Sequence, residues 1–232
     1  MGNIESTTNA YKKWQSHWSS YIETSKRASS SALITADNFI KKGVITEGSR
    51  ILDLGCGHGR ITELIVQQVP SLDIVGVDMT QQLLDNFIVK EGVNDCKIRL
   101  LCADITKLPF EADEFDAVIS SRVFHYLPNP ILGVREAYRV VKPGGKVVIS
   151  VPNKLNIIKY MTYSEAPLYS PFQVRNWFAE CNFDDIDHGS MCFFPSTHGW
   201  KGLSAFVELF KYVPVIKYMG GNLIVTGKKK RN

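Results

Sequence analysis

Three closely spaced glycines are the residues of this sequence that most clearly predict a ligand site. Gly55, Gly57 and Gly59 follow the apolar segment 50–53 and precede a segment with helical periodicity. Glycine lets the chain turn tightly and lets a ligand approach backbone N–H groups near the positive end of a helix dipole. A dinucleotide fingerprint would place its third glycine at position 60, which is Arg60 here. The spacing therefore disfavours a nicotinamide oxidoreductase.

Two acidic residues follow later apolar segments. Asp78 ends the second segment, about 23 residues after Gly55, where an open α/β sheet places a carboxylate against a ribose. The alternative is that Asp78 caps the helix that follows it. Asp104, after the third segment, can accept a hydrogen bond from an adenine amine while Ile105 covers the ring, although alone it would be an ordinary turn residue. Because the ends of parallel strands meet at one end of a sheet, the combination is more specific than either acid.

The elements that position these residues follow from hydrophobic periodicity. Apolar segments alternate with helical patterns, which predicts an α/β fold with a parallel sheet and helices on both faces. The predicted strands are 50–53, 72–77, 97–102, 115–120, 146–151, a sixth within 183–194, and 222–227. The predicted helices are 61–69, 81–92, 131–141 and 170–181, the third of them stopped by Pro-Gly-Gly at 143–145.

The N-terminal residues 1–43 carry aromatic side chains at helical spacing and are predicted to form a helical arm or lid. The remaining residues, 44–232, are predicted to form the main domain. Within that domain, 155–170 and 195–218 lack a clear period and are predicted to be cap insertions.

Five motifs between about residues 44 and 153 occur in a characteristic order. They are ILDLGCGHGR at 51–60, GVDM at 76–79, ADITKLPF at 103–110, FDAVI at 115–119 and RVVKPGG at 139–145. In this order they resemble the class I S-adenosylmethionine (SAM)-dependent methyltransferases, specifically the small-molecule group of ubiquinone/menaquinone-type (type 11) enzymes. The resemblance implies a Rossmann-like, seven-stranded, mostly parallel sheet whose last strand is antiparallel.

The resemblance also implies residue roles. It implies that Gly55 and Gly57 lie against the methionine part of SAM, that Asp78 holds the ribose and that Asp104 reads the adenine. The backbone near Ser120 and Ser121 would meet the methionine amine. The predicted cofactor site comprises Asp53, Gly55, Cys56, Gly57, Asp78, Met79, Asp104, Ile105, Ser120 and Ser121.

The acceptor site depends on aromatic and histidine side chains. His125, just after the fourth predicted strand, is a candidate general base, or it packs beside the cofactor as a structural residue. Tyr126, Tyr11, Trp14 and Tyr160 are candidates for contact with the acceptor, and packing in the core is the alternative for each. Their character favours an apolar or aromatic acceptor.

Composition limits the partners. The net charge of +4 is dispersed, so we expect no nucleic-acid partner, and the basic run 228–231 is predicted to be a solvated tail. The five cysteines form no C-x-x-C pair, which predicts reduced thiols in a cytoplasmic protein with no metal site. No apolar run is long enough for a membrane span, and core packing is favoured over peripheral membrane contact for 206–217. We expect a monomer or a homodimer.

These observations predict a methyltransferase. Methyl transfer from SAM to an oxygen, nitrogen or carbon atom of a small organic acceptor would be an in-line displacement that depends mainly on positioning. A DNA amino-methyltransferase is disfavoured because 120–123 reads SSRV where such enzymes carry Asp/Asn-Pro-Pro-aromatic. The alternative from a different class is a protein that binds SAM for regulation or for another reaction.

Overall fold

The computed structural model describes residues 30–90, 92–156, 167–191 and 220–231. The strands are β1 (Arg50–Leu54), β2 (Asp73–Asp78), β3 (Lys97–Cys102), β4 (Phe115–Ser121), β5 (Val141–Pro152), β6 (Asp184–Met191) and β7 (Asn222–Lys228). The helices are α1 (Ser30–Gly43), α2 (Arg60–Val66), α3 (Gln81–Asp85), α4 (Pro130–Val140) and α5 (Pro171–Glu180), with short 3₁₀ turns at Val93–Asp95 and Phe124–Tyr126.

The seven strands form one sheet in the order β3-β2-β1-β4-β5-β7-β6. The first five are mutually parallel, and β7 is antiparallel to both of its neighbours. The central strands are rich in buried apolar residues because helices cover both faces; Leu52, for example, is fully buried and pairs with Val75 and Val118. The predicted Rossmann-like fold with an antiparallel last strand is therefore confirmed. The parallel strands β1 to β5 all end on one side, called here the carboxyl end of the sheet.

A hydrophobic core lies on each face of the sheet. On one face, α1 packs the fully buried side chains of Ala36 and Phe39 into the same cluster as Ile119 of β4. On the other face, α5 contributes the fully buried Phe178. The last part of the predicted 1–43 arm is thus packed on the sheet. Residues 1–29, and most of the two predicted cap insertions, lie outside the described residues, so the lid and cap assignments stay predictions.

The predicted helix 81–92 is too long. The structure ends α3 at Asp85, and the N–H of Ile88 donates to the carbonyl oxygen of His58 at 2.9 Å, where a continued helix would have bonded within itself. This link ties the segment after α3 to the glycine loop. Gly92, predicted to close the helix, has φ +75° and precedes the 3₁₀ turn at Val93–Asp95.

The predicted strand 146–151 is too short, because β5 begins directly after α4, at Val141. The Pro-Gly-Gly at 143–145 therefore lies within the strand, where the pairing of β5 with β4 shifts register between Phe115 and Ala117. The start of α5 confirms its predicted position: the Ser170 hydroxyl accepts the N–H of Gln173, whose side chain accepts the N–H of Ser170.

The basic run at the end of the chain is only partly solvated, which corrects the predicted free tail. The Lys229 side chain is 13% exposed and pairs with Asp113 at 2.5 Å. Its ammonium group also lies 4.9 Å from the centre of the Tyr138 ring and donates to the carbonyl oxygen of Arg139. Lys230 and Arg231 are exposed. The last strand is thus anchored to the loop before β4.

Candidate cofactor site

The glycine loop joins β1 to α2 at the carboxyl end of the sheet. Its start is fixed to β2, because the N–H groups of Gly55 and Cys56 both donate to the carbonyl oxygen of Val77, at 2.7 and 3.0 Å. Gly55, Gly57 and Gly59 have φ values of +71°, +58° and +87°. Side chains rarely adopt this left-handed region, so the turn itself favours glycine at all three positions.

The three glycines differ in what surrounds them. A Cβ on Gly55 would lie 2.2 Å from a methyl group of Val123, and a Cβ on Gly59 would lie 2.6 Å from the Phe87 ring. Among the residues that the structure describes, a Cβ on Gly57 would meet nothing closer than Leu83 Cδ1 at 4.0 Å. Gly55 and Gly59 are therefore required by packing within the chain, while the missing side chain of Gly57 leaves open space beside the loop. This space fits a ligand held against the backbone.

Asp78 connects this space to the end of β2. One carboxylate oxygen accepts the N–H of Gly57 at 3.0 Å, and the other accepts the N–H of Thr80 at 2.9 Å. The bond from the Thr80 N–H fixes Thr80, the residue directly before α3. It agrees in part with the alternative prediction, in which Asp78 caps that helix. The Thr80 hydroxyl and the Met79 N–H also hydrogen-bond to this carboxylate, so four donors of the chain surround it. Burial raises the pKa of Asp78, and the hydrogen bonds from backbone N–H groups oppose that rise.

Asp53 and Cys56 lie beneath the loop. The Asp53 side chain is 2% exposed and accepts a hydrogen bond from the Thr62 hydroxyl at 2.7 Å. Burial, reinforced by the nearby Asp78, raises the pKa of Asp53 to about 7, although the bond from Thr62 opposes the rise. The Cys56 sulfur would be 2.9 Å from a Cβ on Gly76, so the thiol packs on β2, and burial raises its pKa. These side chains support the loop from behind, and their predicted contact with the cofactor stays a prediction.

The predicted adenine-reading residues follow β2 and β3. Asp104 is exposed, and one of its carboxylate oxygens accepts both the N–H and the hydroxyl of Thr106 at 2.8 Å. Ile105 is buried in the core under α4, so its side chain is placed for packing. Met79, at the end of β2, is 45% exposed and is the apolar side chain available to cover a ring there.

The end of β4 presents backbone to the carboxyl end of the sheet. Ser120 is fully buried and its hydroxyl donates to the Leu54 carbonyl oxygen at 2.7 Å, so its side chain joins β4 to β1. Arg122, with φ +55°, turns the chain sharply after β4. His125 is buried on the following 3₁₀ turn, with its ring centre 3.9 Å from that of Tyr126, which is 42% exposed. This pair lies on the turn that follows β4, at the carboxyl end of the sheet.

Not every predicted site residue can be placed. Tyr11, Trp14 and Tyr160 lie outside the described residues. Sequence reasoning missed Thr62 and Val123, because each acts through a partner that is distant in sequence and neither residue type is distinctive. In the described ranges no group of three metal-ligating side chains occurs, and no helix there is long and apolar enough to span a membrane.

A second concavity lies elsewhere on the surface. This cleft of about 400 Å³ is bounded by Arg99 and Leu101 of β3 and by the segment 109–114. It mixes one cation with two carboxylates, Glu111 and Glu114, and includes none of the predicted site residues. The glycine loop, with its open space and converging polar groups, is the better candidate.

Comparison with known proteins identifies the domain. Residues 52–149, from β1 to β5, match a family model described as a methyltransferase domain. Over these residues the chain resembles a class I SAM-dependent methyltransferase domain of the type 11 group. An uncharacterized methyltransferase of Schizosaccharomyces pombe is 35% identical to this chain over 140 residues, which cover 56% of this chain and 50% of that protein.

Two further proteins extend the comparison. The chloroplastic 2-methyl-6-phytyl-1,4-hydroquinone methyltransferase of Arabidopsis thaliana is 32% identical over 139 residues, covering 59% of this chain and 40% of that protein. The chain thus matches about half the length of these two relatives. The structure of a SAM-dependent methyltransferase from Thermotoga maritima aligns with a TM-score of 0.67 over 97% of this chain and 100% of that one, at 14% identity. At that identity the likeness shows the methyltransferase fold alone.

Proposed function

We propose that this protein transfers a methyl group from SAM to a small organic acceptor. The observation that carries the proposal is the open space at Gly57, whose N–H is held by the Asp78 carboxylate at 3.0 Å. A backbone surface without a side chain, next to a carboxylate at a strand end, suits a ligand with a ribose. The match to the methyltransferase domain supports SAM as that ligand.

Different parts of the cofactor are assigned to residues at the ends of different strands. We assign the methionine part to the loop at Gly57, the ribose to Asp78, and the adenine to Met79 and Asp104. The backbone at Ser120 and Ser121 remains our candidate for the methionine amine. When bound, SAM supplies a methyl group already activated on a sulfonium. The protein's task is therefore to position the acceptor and to exclude water.

We propose an acceptor with an apolar or aromatic body. Besides Met79, which we assign to the adenine, two exposed apolar side chains lie at the carboxyl end of the sheet: Tyr126 after β4 and Leu155 after β5. Exposed apolar groups that gather around a polar site are typical of ligand grooves. The Arabidopsis relative is named for a hydroquinone acceptor, which has this character. A panel of acceptors in which only highly polar compounds were methylated would contradict this assignment.

His125 is our candidate for the proton acceptor when the methylated group is a hydroxyl or an acidic carbon. A histidine is suited to this role because its ordinary pKa lies near neutral pH. His125→Ala should lower kcat while the affinity for SAM is kept, and His188→Ala on β6 is the matched control. If His125→Ala and His188→Ala had equal kcat, His125 would not be the proton acceptor and its role would be structural.

The decisive experiment is transfer of labelled methyl from SAM to a cell extract fractionated by polarity. We expect label in a small, organic-soluble product and none in nucleic acid. Tight SAM binding without transfer to any acceptor would favour the alternative, a protein that binds SAM for regulation or another reaction. A cytoplasmic location and a monomeric or homodimeric state are further proposals, which fractionation and light scattering can test.

A further inference from the structure

Two buried carboxylates lie behind the glycine loop. Asp53 accepts from the Thr62 hydroxyl, and Asp78 accepts from the N–H groups of Gly57 and Thr80. Within the part of the chain that the structure describes, neither acid forms an ion pair. A buried carboxylate without a cationic partner is costly when ionised. A positive charge in the open space over Gly57 would reduce that cost.

The surroundings of Asp53 contain few charges. Its neighbours in register are Gly76 on β2 and Ile119 on β4, and α2 presents the Thr62 hydroxyl. Among the described residues, the titratable groups that interact with it electrostatically are Asp78 and the Cys56 thiol. Burial and Asp78 together raise the pKa of Asp53 to about 7. At neutral pH the acid is therefore divided between its protonated and ionised forms.

We propose that Asp53 is a positioning residue whose carboxyl group releases its proton when a positively charged cofactor binds over the glycine loop. In this step the carboxyl O–H bond breaks, the proton passes to the buffer, and the carboxylate continues to accept from Thr62. The inference rests on the proposed function, in which the ligand is SAM. SAM carries a sulfonium charge that its demethylated product lacks, so SAM should release more protons than the product does.

Calorimetry measures this release directly. SAM is titrated into the full chain at pH 6.5 in two buffers of different ionisation enthalpy, and the difference in heat gives the protons released per SAM bound. With a pKa of about 7, complete ionisation on binding would release roughly three quarters of a proton. The same linkage would tighten SAM binding by up to about tenfold between pH 6 and pH 8. S-adenosylhomocysteine, the demethylated product, should show a smaller release.

Two variants separate this effect from simple support of the loop. Asp53→Asn keeps an oxygen to accept from Thr62 but cannot ionise, so the release should disappear and the pH profile should flatten. Titration of the cofactor's own amino group is shared by both proteins and cancels in the comparison. Thr62→Val removes a bond that lowers the pKa of Asp53, so the midpoint of the profile should move to higher pH. Thr35→Val, a buried threonine on α1, is the matched control and should leave the profile unchanged.

The outcomes are distinct. Equal proton release by the wild-type protein and Asp53→Asn would overturn the inference. SAM binding by the wild-type protein with the same heat in both buffers, which means no proton release, would also overturn it. Neither result would contradict the proposed function. If Asp53→Asn fails to fold, the inference is tested by the proton release of the wild-type protein and by the midpoint of the pH profile in Thr62→Val. An unchanged midpoint in Thr62→Val would then overturn it. Absence of SAM binding by the wild-type protein would overturn both the inference and the proposed function.

Discussion

Replacing single glycines of the loop with alanine should show which glycine is required for packing within the chain and which is required for ligand binding. In Gly55→Ala the new Cβ would lie 2.2 Å from Val123 Cγ2, whereas carbon atoms in contact are about 3.5–4.0 Å apart. Relieving this overlap costs about 1–3 kcal/mol, and the left-handed φ of +71° adds about 1–2 kcal/mol. We therefore expect Gly55→Ala to lose about 2–5 kcal/mol of unfolding free energy.

Gly57→Ala should behave differently. In the described part of the chain its Cβ meets nothing closer than Leu83 Cδ1 at 4.0 Å, so only the backbone cost of about 1–2 kcal/mol applies. The methyl group would, however, stand in the space that we assign to the cofactor. Gly48→Ala is the matched control, because Gly48 has φ +77°, has no described neighbour within 4 Å of its Cβ position, and lies in the turn between α1 and β1.

Urea unfolding and calorimetric SAM titration on the three variants give the comparison. Gly57→Ala and Gly48→Ala should lose similar stability, while only Gly57→Ala should lose SAM affinity, by about tenfold or more, equivalent to about 1.4 kcal/mol. Gly55→Ala should be the least stable of the three. If Gly57→Ala bound SAM as tightly as Gly48→Ala, the assignment of the open space to the cofactor would be refuted.

Three further predictions concern stability. The pKa of Asp53 is about 7 when folded against 3.8 for an ordinary aspartate, so the folded chain holds more protons than the unfolded chain between about pH 4 and 7 and loses stability as the pH rises through that range. Asp53→Asn should therefore gain at most about 4 kcal/mol over the wild-type protein above pH 7 and nothing below pH 4, as measured by urea unfolding; a gain independent of pH would contradict this. Ser170→Ala removes the capping box of α5 and should cost about 1 kcal/mol, with Ser170→Thr, which keeps a capping hydroxyl, as the control; an unchanged unfolding midpoint in Ser170→Ala would refute the role of the cap. Lys229→Met keeps the apolar stem but removes the charge beside Asp113, and should cost about 1 kcal/mol in dilute buffer and less in 1 M salt; equal losses in the two buffers would rule out an electrostatic origin.

The sheet could be predicted from the sequence because its signals are local. Buried parallel strands such as 115–121 are apolar nearly throughout, and each is separated from the next by a helix or a turn-rich segment. The antiparallel direction of β7 was predicted from the resemblance carried by the order of the motifs, because periodicity alone does not indicate the direction of a strand. The acids Asp78 and Asp104 could be placed at the carboxyl end of the sheet for the same reason, since Asp78 ends β2 and Asp104 comes two residues after the end of β3.

The remaining features depend on contacts between distant segments. The length of α3 could not be predicted because the bond from Ile88 to His58, thirty positions earlier, replaces helical pairing. The glycine loop was recognised, but its three glycines look alike in sequence. Only the neighbours Val123 and Phe87 distinguish the two packing positions from Gly57. Whether an acid faces the ligand or the protein likewise depends on a partner across the fold.

The central claim is that the cofactor lies between the glycine loop and the end of β2. The most direct measurement is a crystal structure of the full chain with S-adenosylhomocysteine. We expect density against the backbone of Gly57, with the ribose hydroxyls within hydrogen-bonding distance of the Asp78 carboxylate. Density in the cleft between Arg99 and Glu114, or a ribose with no contact to Asp78, would contradict it.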